Sequence, residues 1–380
     1  MIVILAAAAI ALWALRGGVK PSGKPIASDD RTNHTLLFVY SPDGVSAPAD
    51  TIVLFGLVGE DKGSALLIPA GTTTDVPVHG PLSLGDSSTY GDPASIELAT
   101  ENLLGVRIDA TVILDRHAFV AAISRLEPFD ILVEERLGAR QGNSIVTKFQ
   151  PGRYKMDALT VNAYLELRAE GETEVARLAR KQKVFEAILQ KARSMPDGEF
   201  GFSGEDPTHL VSNVPISSAN EIARALALRE VSFSLLPVDP KQTLEGVESF
   251  EPREGEIRRV VTQRFPGAAV APDVESRIRI GILNGNGGVA VTEDVAKRLI
   301  PRGYRVVYTE NADRFDYEET QIVFYRTPDE RIARDIRARL GTGRLVFNHQ
   351  MQDVVDVLIV VGRDYPVGQG SQTHAGGQQQ

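Results

Sequence analysis

A chain of 380 residues, 43% apolar and 24% charged, has room for two or three packed domains and is not disordered throughout. Its formal net charge of −9 excludes a general attraction to nucleic acid, which rests on many Lys and Arg contacts to phosphate. The lack of any cysteine excludes disulfide frameworks, thiolate metal centres and a cysteine nucleophile.

Residues 1–15 are all apolar and end at Arg16-Gly17-Gly18, where charge and helix-breaking glycine begin together. At 1.5 Å per residue the run spans roughly 22 Å, short of the ~20 residues of a full crossing. We read 1–16 as a transmembrane or signal-anchor segment and 17–33 as a Gly/Pro/Ser-rich linker. Arg16, Lys20 and Lys24 follow the run and no basic residue precedes it. The positive-inside rule then gives the wrong orientation for an exported chain, which points to a start missing upstream. A cleaved signal segment and a buried helix are the alternatives, the second disfavoured by the linker.

Beyond the linker, residues 34–40 (HTLLFVY), 50–58 (DTIVLFGLV) and 64–68 (SALLI) read as buried strands of one sheet. A helix over 94–104, a strand over 109–114 and a helix over 117–126 continue an α/β alternation. The pattern is helical in two segments between 156 and 193, the second being the amphipathic run 174–193. A shorter helix over 218–227 and a strand over 230–238 follow. Residues 239–276 are rich in Pro, Glu and Gly, carry one helix over 255–264, and contain a domain boundary. The last unit alternates strand 277–283, glycine turn 284–288, helix 291–302, strands 304–309 and 319–325, helix 329–340 and strand 354–361. The expected organisation is a first domain over 34–266, a linker over 267–275, a small α/β domain over 276–365 and a disordered tail over 366–380, which has no charged residue.

Gly285-x-Gly287-x-x-Ala290 follows a strand and opens a helix, with Glu310 ending the next strand, as in a dinucleotide-binding fingerprint. The unit is small and places two strands in succession after that helix. Glycines permitting a tight turn account for the motif better, and an NAD-binding oxidoreductase is the least favoured alternative. No two His fall at metal-ligand spacing, and no Gly-x-Ser-x-Gly nucleophile turn occurs.

Several short motifs stand in an informative order. Asp50-Thr51 opens a strand, and Leu67-Ile68-Pro69 ends another. Gly105-Val106-Arg107-Ile108-Asp109 and Pro151-Gly152-Arg153-Tyr154-Lys155-Met156-Asp157 follow, and then Leu167-Arg168, Glu174, Arg177, Arg180, Lys181 and Gln182. In this order the chain resembles the LytR-CpsA-Psr family, and residues 277–365 resemble its LytR-type C-terminal domain, with Ile282-Leu283-Asn284-Gly285 and Ile359 to Tyr365 as the ends. The departures are specific. Pro48 stands where the family has Arg, Ala70-Gly71 where it has Arg-Asp, Glu174 for Asp, and Lys181 for Gln.

The resemblance implies an α/β/α sandwich domain, a small α/β C-terminal domain, and a single-pass membrane protein with its bulk outside the cytoplasm. It implies transfer of a glycopolymer from a polyprenyl pyrophosphate carrier to peptidoglycan, with Mg²⁺ assistance, and a protein partner for the C-terminal domain. Arg168, Arg177, Arg180, Gln182 and Glu174 are then the pyrophosphate-binding candidates and Asp50 the metal ligand. Guanidinium groups suit this chemistry because their planar fork holds two phosphate oxygens and stays charged. Taken alone, Glu174, Arg177 and Arg180 also read as a solvated helix face with weak ion pairs, and Asp50 as a turn residue. Removing one preorganised donor costs roughly 10²–10³ in rate. Two missing arginines give about 10⁴–10⁶ at the upper end, since such losses are not additive. No Lys or Arg between Gly63 and Leu104 replaces the one absent at Ala70. The expectation is therefore retained ligand binding with weak or no catalysis, with an active transferase as the alternative.

Overall fold

The computed structural model describes residues 33–366 except 78, 91, 197, 203–205, 243–247, 271–276 and 351–352. The expected anchor segment, most of the linker after it, and all but the first residue of the expected tail lie outside the described residues, as does most of the linker expected over 267–275. No helix among the described residues is long and apolar enough to cross a membrane.

The chain packs as two compact units, one running up to Leu67 and resuming over Asp109–Phe233, the other made of Ile68–Ile108 and the chain from Ser234 onward. The first is built on a six-stranded sheet in the order Leu210–Ser212, Ala110–Leu114, Thr35–Tyr40, Thr51–Val58, Lys62–Ile68, Glu230–Leu235. Thr35–Tyr40 pairs antiparallel with Thr51–Val58, Tyr40 opposite Thr51, and parallel with Ala110–Leu114. Every residue of Thr35–Tyr40 is buried, so this central strand is covered on both faces, and its unbroken apolar run needs no polar alternation.

On one face, Phe38 and Tyr40 alternate inward. Phe38 meets Phe119 and Phe185, and Tyr40 meets Phe119. These rings dock the helices Arg116–Ile123 and Glu174–Arg193. Three helices of this unit start on a side-chain cap: Asp115 accepts from Ala118 N–H, Asp157 from Thr160 N–H and Thr173 from Ala176 N–H, which satisfies donors the helix itself leaves open.

The second unit carries a five-stranded sheet in the order Arg305–Asn311, Arg279–Asn284, Val357–Val361, Gln321–Phe324, Arg344–Phe347. All its pairings are parallel but that of Gln321–Phe324 with Val357–Val361. Helices Val291–Leu299 and Glu330–Leu340 cover it, and Leu98 of helix Pro93–Leu104 enters the same core. Residues 68–108 and 234–266 group by their contacts with the C-terminal sheet. One reason is Asn102, whose Nδ2 donates to the Val306 carbonyl at 2.7 Å while its Oδ1 accepts from Val306 N–H at 3.0 Å. That side chain imitates a neighbouring strand along the sheet's edge. Asn102→Ala strands both Val306 groups in a buried setting and is expected to cost about 1–3 kcal/mol, read as a lower urea midpoint with an unchanged slope.

Several small strands escaped the sequence reading: the pairs Phe129–Val133 with Gly152–Met156, Leu137–Gln141 with Ser144–Phe149, Thr73–Val76 with Gly80–Ser83, and Val238–Gln242 with Glu248–Pro252. The last falls in the stretch read as a boundary region. Ser144–Phe149 shows why: it has no fully buried residue, so no apolar alternation marks it. The helix expected over 117–126 is α-helical only to Ile123 and tightens to a 3₁₀ turn over Ser124–Leu126.

Candidate functional site

Asp50 sits just before strand Thr51–Val58 and is 8% exposed. Its Oδ1 accepts from Arg168 Nη2 at 3.0 Å and from Arg177 Nη1 at 2.7 Å. Oδ2 accepts from Lys181 Nζ at 2.7 Å and from Thr51 Oγ1 at 3.1 Å, and Lys181 Nζ also donates to the Asp50 carbonyl at 2.7 Å. Three cations thus surround one carboxylate.

The helix Glu174–Arg193 supplies two of them. Positions 174, 177 and 181 share one face by the three-and-four spacing of a helix, and all three are buried. Glu174 takes the Arg177 fork in two bonds, 2.7 Å to Nε and 3.0 Å to Nη2, which aims the remaining nitrogen at Asp50. Burial alone would raise the Asp50 carboxyl, but Lys181 and Arg177 beside it outweigh burial and hold it well below the usual carboxylate range. Burial pushes Lys181 down, to about 8, against the pull of Asp50.

Arg180 and Gln182 stand apart from this cluster, contrary to the sequence reading. Arg180 forks onto Glu172 at 2.8 and 2.9 Å, donates to the carbonyls of Tyr164 and Leu167, and lies over the Tyr164 ring. It ties down the end of helix Ala158–Glu166 and so positions Arg168 on the next turn. Gln182 donates to Glu186 one turn along its own helix at 2.7 Å.

Sequence reasoning missed a second network beside the first. Tyr40, fully buried, donates to Glu166 and lies 2.7 Å from Asn162 Oδ1, while Arg116 forks onto Glu166 at 2.8 and 3.0 Å. Burial, then Glu166, raises the Tyr40 hydroxyl above its ordinary range. The partners lie 122 and 126 residues away, and only a buried Tyr needing a partner for its hydroxyl could have signalled them.

Toward its C-terminal end the same helix face becomes apolar. Phe185 and Ile188 line a cavity of about 60 Å³ with Phe38, Phe55, Phe119 and Leu226. One face of one helix therefore runs from Glu174, Arg177 and Lys181 to Phe185 and Ile188, charge at one end and hydrocarbon at the other.

A sequence profile of the LytR_cpsA_psr family matches residues 28–265. The chain belongs to the LytR-CpsA-Psr family. A second profile, LytR cell envelope-related transcriptional attenuator, matches residues 277–365. No curated protein matches the sequence. Among solved structures, Bacillus subtilis TagT is 18% identical, with a TM-score of 0.50, and the match covers 66% of this chain and 96% of TagT. Bacillus subtilis TagV is 14% identical with a TM-score of 0.50, covering 62% and 98%. TagT bound to LIIa-WTA gives 19% identity and a TM-score of 0.52, covering 65% and 98%. At these identities the structures establish a shared α/β/α fold, and the family is one of cell-envelope proteins.

The metal that LytR-CpsA-Psr chemistry implies does not fit this site. Mg²⁺ needs carboxylate oxygens free to enter an octahedral shell, whereas both Asp50 oxygens face guanidinium or ammonium donors. A divalent ion on Oδ2 would lie about 4 Å from the sealed-in Lys181 ammonium and is repelled by ~8 kcal/mol at an effective dielectric of about 20. Glu174 is forked by Arg177 and Glu172 by Arg180, so neither offers a free pair. Among the described residues no group of three His, Asp or Glu stands close enough to hold a metal.

The glycine turn of the C-terminal domain is closed as well. The N–H groups of Gly285, Asn286, Gly287 and Gly288 donate to the Val361 carbonyl, to Asn284 Oδ1 twice, and to Asn286 Oδ1. A phosphate-cradling turn needs those donors free, and a Cβ on Gly285 would lie 2.8 Å from the Val361 carbonyl oxygen. The glycines serve packing, and the turn holds its N–H groups on its own chain rather than open to a phosphate.

His209 forms a separate pair with Asp115, Nδ1 to Oδ2 at 2.5 Å. Its hydrogen bond to Asp115 raises the imidazole pKa. A raised folded value makes the pair's stabilisation complete below the unfolded His value, about 6.5, and lost as pH rises through the higher folded value. Thermal unfolding is expected to show a small downward drift in Tm across that window which His209→Gln abolishes.

Proposed function

We propose that this protein binds a polyprenyl pyrophosphate-linked glycan at the cell envelope and transfers it to peptidoglycan weakly or not at all. The observation that carries the reading is the helix Glu174–Arg193, whose buried face places cations next to Asp50 and aromatic hydrocarbon one to two turns further on. An amphiphile with an anionic head and an apolar tail matches that order. At about 60 Å³ the cavity takes roughly two water-sized molecules, so entry of a prenyl chain requires the lining Phe side chains to swing aside. The apolar run 1–15 supports attachment to the membrane from which such a ligand would come.

Weak catalysis follows from Ala70-Gly71 and Pro48, which remove charge that a phosphoryl-transfer transition state needs stabilised in advance. The full chain is expected to bind polyprenyl pyrophosphate in a calorimetric titration and to show transfer activity far below that of an intact relative. Ala70→Arg with Gly71→Asp is expected to raise turnover by about 10²-fold or more. Absence of binding sinks the ligand, and turnover equal to an intact relative's sinks the impairment.

A further inference from the structure

We propose that Lys181 takes the place of the divalent cation at Asp50, so that this member of the family holds its pyrophosphate ligand without metal. The second half rests on the ligand reading above; the first half stands on the geometry of the protein alone.

Lys181 is 0% exposed, and its ammonium lies 2.7 Å from both the side-chain Oδ2 and the backbone carbonyl of Asp50. It reaches there from the position four residues after Arg177, on the helix face that packs against the start of strand Thr51–Val58. The side chain is sealed in, so it cannot swing into solvent to admit another ion. On the other carboxylate oxygen Arg168 and Arg177 complete the enclosure. Arg168 is the exception in access, with its side chain 71% exposed, and is the one cation of the three that a ligand can draw away without opening the core.

Arg168, Arg177 and Lys181 give three positive charges, and Asp50 and Glu174 give two negative ones. The sum is +1. With Gln at position 181 and every other residue of this cluster kept, the sum is zero. With Lys the extra charge is part of the chain, fixed in position and present at every metal concentration.

The test uses the full chain and Mg²⁺ alone as the first probe. Wild type is expected to give no heat on titration with Mg²⁺ and the same Tm in chelator and in excess Mg²⁺. Lys181→Gln is expected to bind Mg²⁺: at about five times its dissociation constant the Tm rises by about 2–4 °C, and Asp50→Asn in the same background removes the rise. Lys181→Met serves the same purpose if the Gln variant does not fold, as judged by circular dichroism. Saturable Mg²⁺ binding by wild type, lost on Asp50→Asn, overturns the proposal, as does a neutral variant that folds and stays blind to the metal. Polyprenyl pyrophosphate is the second probe, and its affinity for wild type is expected to be unchanged by chelator. Binding that needs Mg²⁺ sinks the metal-free half alone, whereas no binding under either condition sinks the ligand reading and leaves Lys181 to be judged by the metal titration.

Discussion

Asp50→Asn is expected to destabilise the protein by about 3–5 kcal/mol, because it leaves the buried charges of Lys181 and Arg177 without their shared counter-ion. A urea denaturation curve reads this as a large fall in midpoint. The cost belongs to the unpaired cations rather than to the lost carboxylate, so adding Lys181→Met to Asp50→Asn is expected to return much of it. A double variant no more stable than the single one would show that Lys181 is not held by this carboxylate. The pH dependence has a definite sign. Asp50 titrates well below its ordinary value, so its stabilisation is complete above the unfolded value of about 4 and disappears only as strong acid protonates it in the folded state.

Ile188→Trp is expected to abolish binding of a polyprenyl pyrophosphate while leaving the affinity for inorganic pyrophosphate within about two-fold, because Ile188 lines the apolar cavity and buried methylenes carry about 0.8 kcal/mol each. Loss of even a few of them amounts to 100-fold or more. Overpacking costs the fold about 1–3 kcal/mol, which circular dichroism and the urea midpoint separate from the effect on the ligand. Lipid binding that survives with its affinity intact would place the hydrocarbon tail elsewhere on the molecule.

Much of the site was legible because its parts are local. The three-residue spacing of Glu174 and Arg177 sets them on one helix face whatever the helix packs against, Asp50-Thr51 announces a strand start by the apolar run behind it, and Lys181 showed only as a charge in place of the family's Gln. Arg180 was misplaced for a reason of the same kind. It shares spacing with Glu174 and Arg177 but lies at the edge of the stripe, where Glu172 and two backbone carbonyls capture it. Gln182 lies off the buried face entirely. The Tyr40–Glu166 contact and the Asn102 clasp on Val306 were out of reach, since each joins residues more than a hundred positions apart.

The alternation of apolar runs and amphipathic helices, which depends on nothing beyond the neighbouring few residues, determined the α/β class and the helix 174–193. What Lys181 does was decided by tertiary structure alone. As a letter in the sequence it is a charge in place of an amide, and only the packing of that helix against the strand start buries its ammonium on Asp50. Burial removes water as the competing partner and so turns an ordinary surface charge into a fixed counter-ion.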